Sequence, residues 1–136
     1  MAEIEQALYT RLTGFAGLSA LVASRVYPMR LPQSPTYPAV TYQRVAGERT
    51  PAMGADTGVM AAVVQLDAWG ATYPSAKAVA KQVRLALERH RNGSSDPEIL
   101  DIFIERDQDL DPAEEPVPDL FRVSLDFRVW HREALS

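Results

Sequence analysis

Few side chains of this chain could carry out chemistry. Its two histidines are His90 and His131. Histidine is the usual general acid or base near neutral pH. Neither one stands in an evident nucleophile–base–carboxylate pattern, so both are expected at the protein surface. Cysteine is absent, which removes disulfides, thiolate metal sites and thiol catalysis. The chain has no Gly-Lys-Ser/Thr phosphate loop and no Gly-x-Ser-x-Gly elbow. Asp107, Asp109 and Asp111 resemble the opening of a calcium loop. Such a loop needs glycine at its sixth place and glutamate at its twelfth, and here Pro112 and Pro118 stand there. The stretch is read as a solvated acidic connection, able to meet a basic partner. No catalytic, cofactor-binding or metal-ligating residue is expected, and the chain is read as a non-enzyme without cofactor.

The remaining candidates are residues of contact. Lys77, Lys81, Arg84, Glu88 and Arg91 follow steps of four and three, which places them on one stripe of a helix. The stripe is either the solvated back of an amphipathic helix or a docking face for an acidic surface. A DNA-binding reading lacks an accompanying aromatic or recognition-helix pattern. Trp69 and Trp130 each end a predicted strand, on the face opposite its apolar row. There an indole covers a sheet edge or packs between subunits.

The elements that must position these groups follow from periodicity. Ile4, Ala7, Leu8 and Leu12 share one helical face, and Gly14 is a natural stop. A short second helix is expected over Gly17–Ala23. Pro28, Pro32, Pro35 and Pro38 make 25–38 extended chain. Ala39–Val45 alternates as a strand, and so does Met60–Trp69, with Ala62, Val64, Leu66 and Ala68 on one side. Between them, Gly47–Gly58 has three glycines, a proline and little periodicity, and is read as a long loop. Thr72–Arg91 is a helix with Ala76, Val79, Val83, Ala86 and Leu87 in its apolar stripe. Asp96–Arg106 is a strand with Leu100, Ile102 and Ile104 inward. Asp107–Asp119 is a connection. Leu120–His131 is the clearest strand, with Phe121, Val123, Leu125, Phe127 and Val129 in one row.

The expected fold is α+β: one mostly antiparallel four-stranded sheet, helices packed on one face, and a long loop between the first two main strands. The chain has 136 residues, so one domain, 1–136, is expected. Hydrophobic residues make up 46% and charged residues 24%, an ordinary balance for a folded domain. The net charge of -4 argues against gripping DNA with the whole surface, because phosphate contacts need clustered cations. The opening MAEIEQALYTRL lacks a basic n-region and is not read as a signal peptide. No apolar run has the length of a membrane span. No membrane partner is expected, and the site of synthesis and assembly is expected to be a host cytoplasm.

Three segments carry a family resemblance. The first is the N-terminal helix with LSALVASRVYPMRLPQSPTYPAVTYQRV, residues 18–45. The second is VVQLDAWG (Val63–Gly70) leading at once into an amphipathic helix. The third is LFRVSLDFRVWHRE, residues 120–133. In order and spacing, this set resembles the tail-completion (tail-terminator) proteins of long-tailed bacteriophages. The resemblance implies a homohexameric ring that ends the tail tube and presents a surface to the head-completion, or stopper, protein. Genomic DNA would pass through without sequence-specific binding. Phage, prophage and gene-transfer particles all use such parts. The alternative is another phage ring subunit, a tail-tube or head–tail connector protein. The residues expected to meet neighbouring subunits or partners are Glu48, Arg49, Asp56, Trp69, Lys77, Lys81, Arg84 and Trp130. The 47–58 segment is expected to order on assembly near the channel, where a weak negative charge would repel phosphates.

Overall fold

The computed structural model describes residues 4–52, 55–93, 98–110 and 120–132, and over 46–58 the backbone alone. Helix α1 spans Ile4–Gly14 and buries Ile4, Leu8 and Leu12. These three lie at i, i+4 and i+8, so they form one stripe. Helix α2, Ala16–Val22, buries Leu18 and Val22. Helix α3, Tyr73–Leu87, buries Ala76, Val79, Ala80, Val83, Ala86 and Leu87. Its first turn is closed by Thr72, whose hydroxyl accepts from the Ser75 N–H at 3.2 Å, satisfying one of the donors a helix start leaves open. Pro74 sits in that first turn, where a missing N–H costs nothing.

The strands are β1 (Val26–Pro28), β2 (Ala39–Ala52), β3 (Ala55–Gly70), β4 (Glu98–Leu110) and β5 (Phe121–Arg132). They form one five-stranded sheet in the order β1-β2-β3-β5-β4. The pairs β2–β3, β3–β5 and β4–β5 are antiparallel, whereas β1 lies parallel to β2. The sheet is therefore mixed and has one strand more than expected. The extra strand lies in the proline-rich stretch read as plain extended chain. It is three residues long and sits on the sheet edge, where its closing Pro28 has no ladder bond to lose. Arg25 pins this corner: its Nε donates to the Pro38 carbonyl at 3.0 Å and its Nη2 to the Leu21 carbonyl at 3.3 Å. The Arg-Val-Tyr-Pro motif is thus a structural joint between α2, β1 and the start of β2.

The expected loop at 47–58 is not a loop. β2 and β3 continue as a hairpin, with Glu48 opposite Ala61, Arg49 opposite Met60 and Ala52 opposite Ala55. Glycine and proline lowered its strand propensity, but pairing with a long partner overrides so weak a prior. Register shifts at Arg44/Ala46 and Arg49/Pro51 absorb the irregular residues as bulges. β4 likewise runs four residues past the expected Arg106, to Leu110.

All three helices cover one face of the sheet. The core there joins Val40, Ala62, Val64, Leu66, Ala68, Val123, Leu125, Phe127 and Val129 to the buried stripes of the helices. The β5 row is as expected, with Phe121 half-buried at its start. In β4 the inward residues are Ile99 and Ile102, not Leu100, which is only half-buried. An irregularity between Ile99 and Asp101 shifts the alternation by one residue. Gly70 lets β3 turn directly into α3: a Cβ there would lie 2.7 Å from the Ala76 nitrogen.

Candidate assembly surfaces

The candidate contact surfaces are the distal part of the β2–β3 hairpin, the face of the sheet opposite the helices, the outer stripe of α3 and the two sheet edges. The last register pair between β3 and β5 is Val59 with Arg132. Beyond it the β2–β3 hairpin has no third strand among the described residues. About four residues per strand project in this way, roughly 13 Å at the usual rise. Asp56, opposite Pro51, belongs to this arm by backbone register, whereas Glu48 and Arg49, opposite Ala61 and Met60, lie just before it, where β3 still pairs with β5. The side chains of all three lie outside the described residues.

The face opposite the helices is polar but not loosely built. Thr41 is 3% and Asp67 7% exposed, although no helix covers them. The Trp69 indole N–H donates to the Thr41 hydroxyl at 2.9 Å. The Arg122 guanidinium lies 4.9 Å from the Trp69 ring centre and pairs with Asp67 at 3.4 Å. Gln65 Nε2 donates to Asp67 as well, at 3.2 Å. Side chains of the face itself therefore shield these polar groups, and each bond made in that shelter counts for more than at an open surface. Further along the face, Arg128 donates to Glu105 at 2.8 Å. Asp126 lies between them; burial, together with Asp67 and Glu105, pushes its carboxyl above the ordinary range despite Arg106 nearby.

Both tryptophans lie on this polar face, as expected, but the structure does not bring them together. Trp69 is opposite Arg122 and Trp130 is opposite Ala61. Their β5 register positions are eight residues apart (122 to 130), roughly 27 Å along a strand.

On α3, Lys77, Lys81 and Arg84 are exposed, as the stripe requires. The structure adds an internal acidic partner that sequence reading assigned to a connection. Asp109, inside β4, accepts from the Tyr73 hydroxyl and from Lys77 Nζ at 3.1 Å. The Tyr73 hydrogen bond, then Lys77, holds the Asp109 carboxyl below its usual value, and the Lys77 ammonium is raised in return. Lys81 and Arg84 have no ion-pair partner among the described residues and line a groove with Lys77 and Asp107. Asp107 and Asp109 thus face α3, Asp111 lies outside the described residues, and no group of three metal-ligating side chains converges among those described.

The histidines are not both at the surface. His131 is 2% exposed and continues the inward row of β5. Burial, with Arg44 adding to it and Glu5 opposing, pulls its pKa below the ordinary value. His90 is half-buried at the end of α3 and is lowered too, by burial and then by Arg11. The period-two row through Val129 already pointed to His131, had the row been carried one step further.

The sequence model of the family described as "Tail completion protein gp17" matches residues 6–132. The chain belongs to the tail completion protein family. It is a phage tail structural protein. A solved chain from the "Virion of native gene transfer agent (GTA) particle" has a similar fold, with a TM-score of 0.66 and 24% identity over 92% of this tail completion protein and 91% of that chain. Comparison with curated protein sequences returned no match. Against the family match, the Arg25–Pro28 joint, Gly70 and the β5 row are scaffold.

Proposed function

We propose that the protein is the tail terminator of a phage or phage-like particle, a non-enzymatic subunit of a homohexameric ring. The ring caps the head-proximal end of the tail tube and binds the head-completion, or stopper, protein. DNA passes through it without sequence-specific contact. The observation that carries this reading is the family match over almost the whole chain. The surface suits it. Ring subunits meet through two different patches, and closure of the ring limits growth. The β2–β3 hairpin, with Asp56 in its projecting arm and Glu48 and Arg49 at the arm's base, reaches a neighbour or the tube. The exposed Lys77, Lys81 and Arg84 dock an acidic surface. Trp69 and Trp130 stand at the two ends of the polar face, where subunit contacts would seal them. The ring forms on the tail end in the host cytoplasm and stays in the particle; in dilute solution the protein is a monomer or small oligomer.

Particles assembled without the protein test this. Heads and tails should then accumulate unjoined, with tails of abnormal length. Joined, infectious or transducing particles in its absence overturn the proposal. Long tubes assembled from the purified protein would indicate a tail-tube subunit instead. Replacing Arg49–Thr57 by a short Gly-Ser turn should leave the thermal melt of the monomer nearly unchanged and abolish complementation.

A further inference from the structure

The two edges of the sheet differ in how they are closed. At the β4 edge the chain returns after α3: the Arg89 N–H donates to the Ile102 carbonyl at 2.7 Å and the Asn92 N–H to the Ile99 carbonyl at 3.4 Å. Arg89 and Arg91 both pair with Asp101, at 3.0 and 3.4 Å, and Arg89 lies 4.7 Å from the Phe103 ring centre. This cover stops at Ile102. Asp107 and Asp109 pair with Leu125 and Val123, register positions of the same parity as Val129, the partner of Ile102. Their backbone groups therefore point outward like those of Ile102. No backbone hydrogen bond reaches them from that side among the described residues.

The β2 edge is also closed over part of its length. β1 pairs with Val40–Tyr42, and the final bond runs from the Met29 N–H to the Tyr42 carbonyl at 2.8 Å. β2 then continues ten residues, 43–52, with no strand on that side among the described residues. The Val40 N–H donates outward to the Arg25 carbonyl, so at a two-residue period the Arg44 N–H also points outward. An uncovered edge of this length is a template for another strand.

We propose that the open edge of β2 pairs with the open distal edge of β4 in a neighbouring copy, so that the sheets of adjacent subunits join. This rests on the ring reading above. Three observations select a second copy as the occupant. First, the open stretches are of similar length: ten residues, 43–52, on β2 and eight, 103–110, on β4. Second, they lie at opposite margins of one sheet, which is what head-to-tail contact requires. β2 runs parallel to β5 and hence antiparallel to β4. A ring axis along the strands preserves these directions, so the new pair is antiparallel, the more stable ladder. Third, the charges on the helix-bearing side interlock. At the β2 margin Arg44 pairs with Glu5 of α1 at 3.5 Å, with half of its side chain exposed. At the β4 margin stand Asp107, Lys81 and Arg84. Joining the edges brings Arg44 to Asp107 and Glu5 to Lys81 and Arg84, which have no ion-pair partner among the described residues.

The cysteine-free chain makes a covalent test clean. Arg44→Cys is combined in one chain with Asp107→Cys or with Asp109→Cys, positions on the same side of the sheet and two residues apart. Particles carrying each chain are oxidised and run on denaturing gels. Head-to-tail edge pairing gives a ladder of covalent oligomers from at least one combination and none from the single variants. Closed rings without a ladder from either combination overturn the edge pairing and leave the terminator reading standing. A covalent dimer from Arg44→Cys alone overturns it in favour of two-fold pairing. If no ring forms under any condition, both readings fail together. A second comparison uses Arg44→Pro, which removes an outward N–H, and Arg44→Ala, which does not. Arg44→Ala should assemble, whereas Arg44→Pro should fold, by circular dichroism, yet give at least a tenfold loss of joined particles. Normal joining by Arg44→Pro overturns the proposal.

Discussion

The two faces of the sheet are made by the same strands, residue by residue, and their chemistry is opposite. On the helix side Val64, Leu66, Leu125, Phe127 and Val129 are closed off from solvent. On the other side Asp67 accepts hydrogen bonds from Gln65 and Arg122, and Arg128 pairs with Glu105. The helix side draws its stability from removing apolar area from water, and any lost volume is felt directly. The polar side contributes through specific pairs, whose net worth is small because water competes for the same groups. The contrast also divides the labour. The helix face supplies the buried core, and the polar face is held by pairs between its own side chains.

The largest expected effect breaks the apolar side. Phe127→Ala should cost about 3–5 kcal/mol, the range for truncating a fully buried aromatic. Denaturant melts of the monomer measure it, and a cost below about 1 kcal/mol would mean that the core re-forms around the gap.

The second effect lies at His131, a titratable group buried within that side. His131 has a lowered pKa in the folded protein, so the unfolded chain binds its proton more readily. Stability from the neutral ring is present above the unfolded value of about 6.5 and is lost as pH falls below it toward the folded pKa. Melting temperatures between pH 7.5 and pH 5 should fall more steeply for the natural protein than for His131→Gln. Parallel slopes would place the acid sensitivity elsewhere.

A smaller effect concerns the sheltered pair on the polar side. Thr41→Val keeps the shape and removes the acceptor of the Trp69 indole N–H. The expected cost is about 1 kcal/mol, with a change in tryptophan fluorescence. The smallest is Arg128→Ala, which removes a partly exposed pair with Glu105. In the monomer it should cost less than about 1 kcal/mol. If Arg128→Ala and Phe127→Ala destabilise the monomer equally, the contrast between the faces is wrong.

Alternation and helical period are local properties, and they made much of this molecule legible. The apolar stripes of α1 and α3, the inward rows of β3 and β5, the family resemblance and the side on which both tryptophans lie could all be read from residue types and spacing. The candidate surfaces were legible in part: Lys77, Lys81 and Arg84 lie on α3 where the period puts them, but the helix ends at Leu87 and not at the expected Arg91, so Arg91 lies beyond it and pairs with Asp101, and the link of Lys77 to Asp109 depends on a distant strand. Other features depend on residues distant in the chain. The 47–58 hairpin exists because β2 and β3 satisfy each other's backbone groups, a gain that glycine and proline content does not report. β1 becomes a strand only because the start of β2 lies beside it. Irregularities in β4 exchange Leu100 for Ile99 in the core, since one extra residue reverses every later side chain. His131 is buried at the end of the β5 row, close enough to Glu5 of α1 and Arg44 of β2 to feel their charges. Propensity and period act over a few neighbours, whereas ladder partners, edge closure and burial are set by which segments meet, and that was settled only when the chain packed.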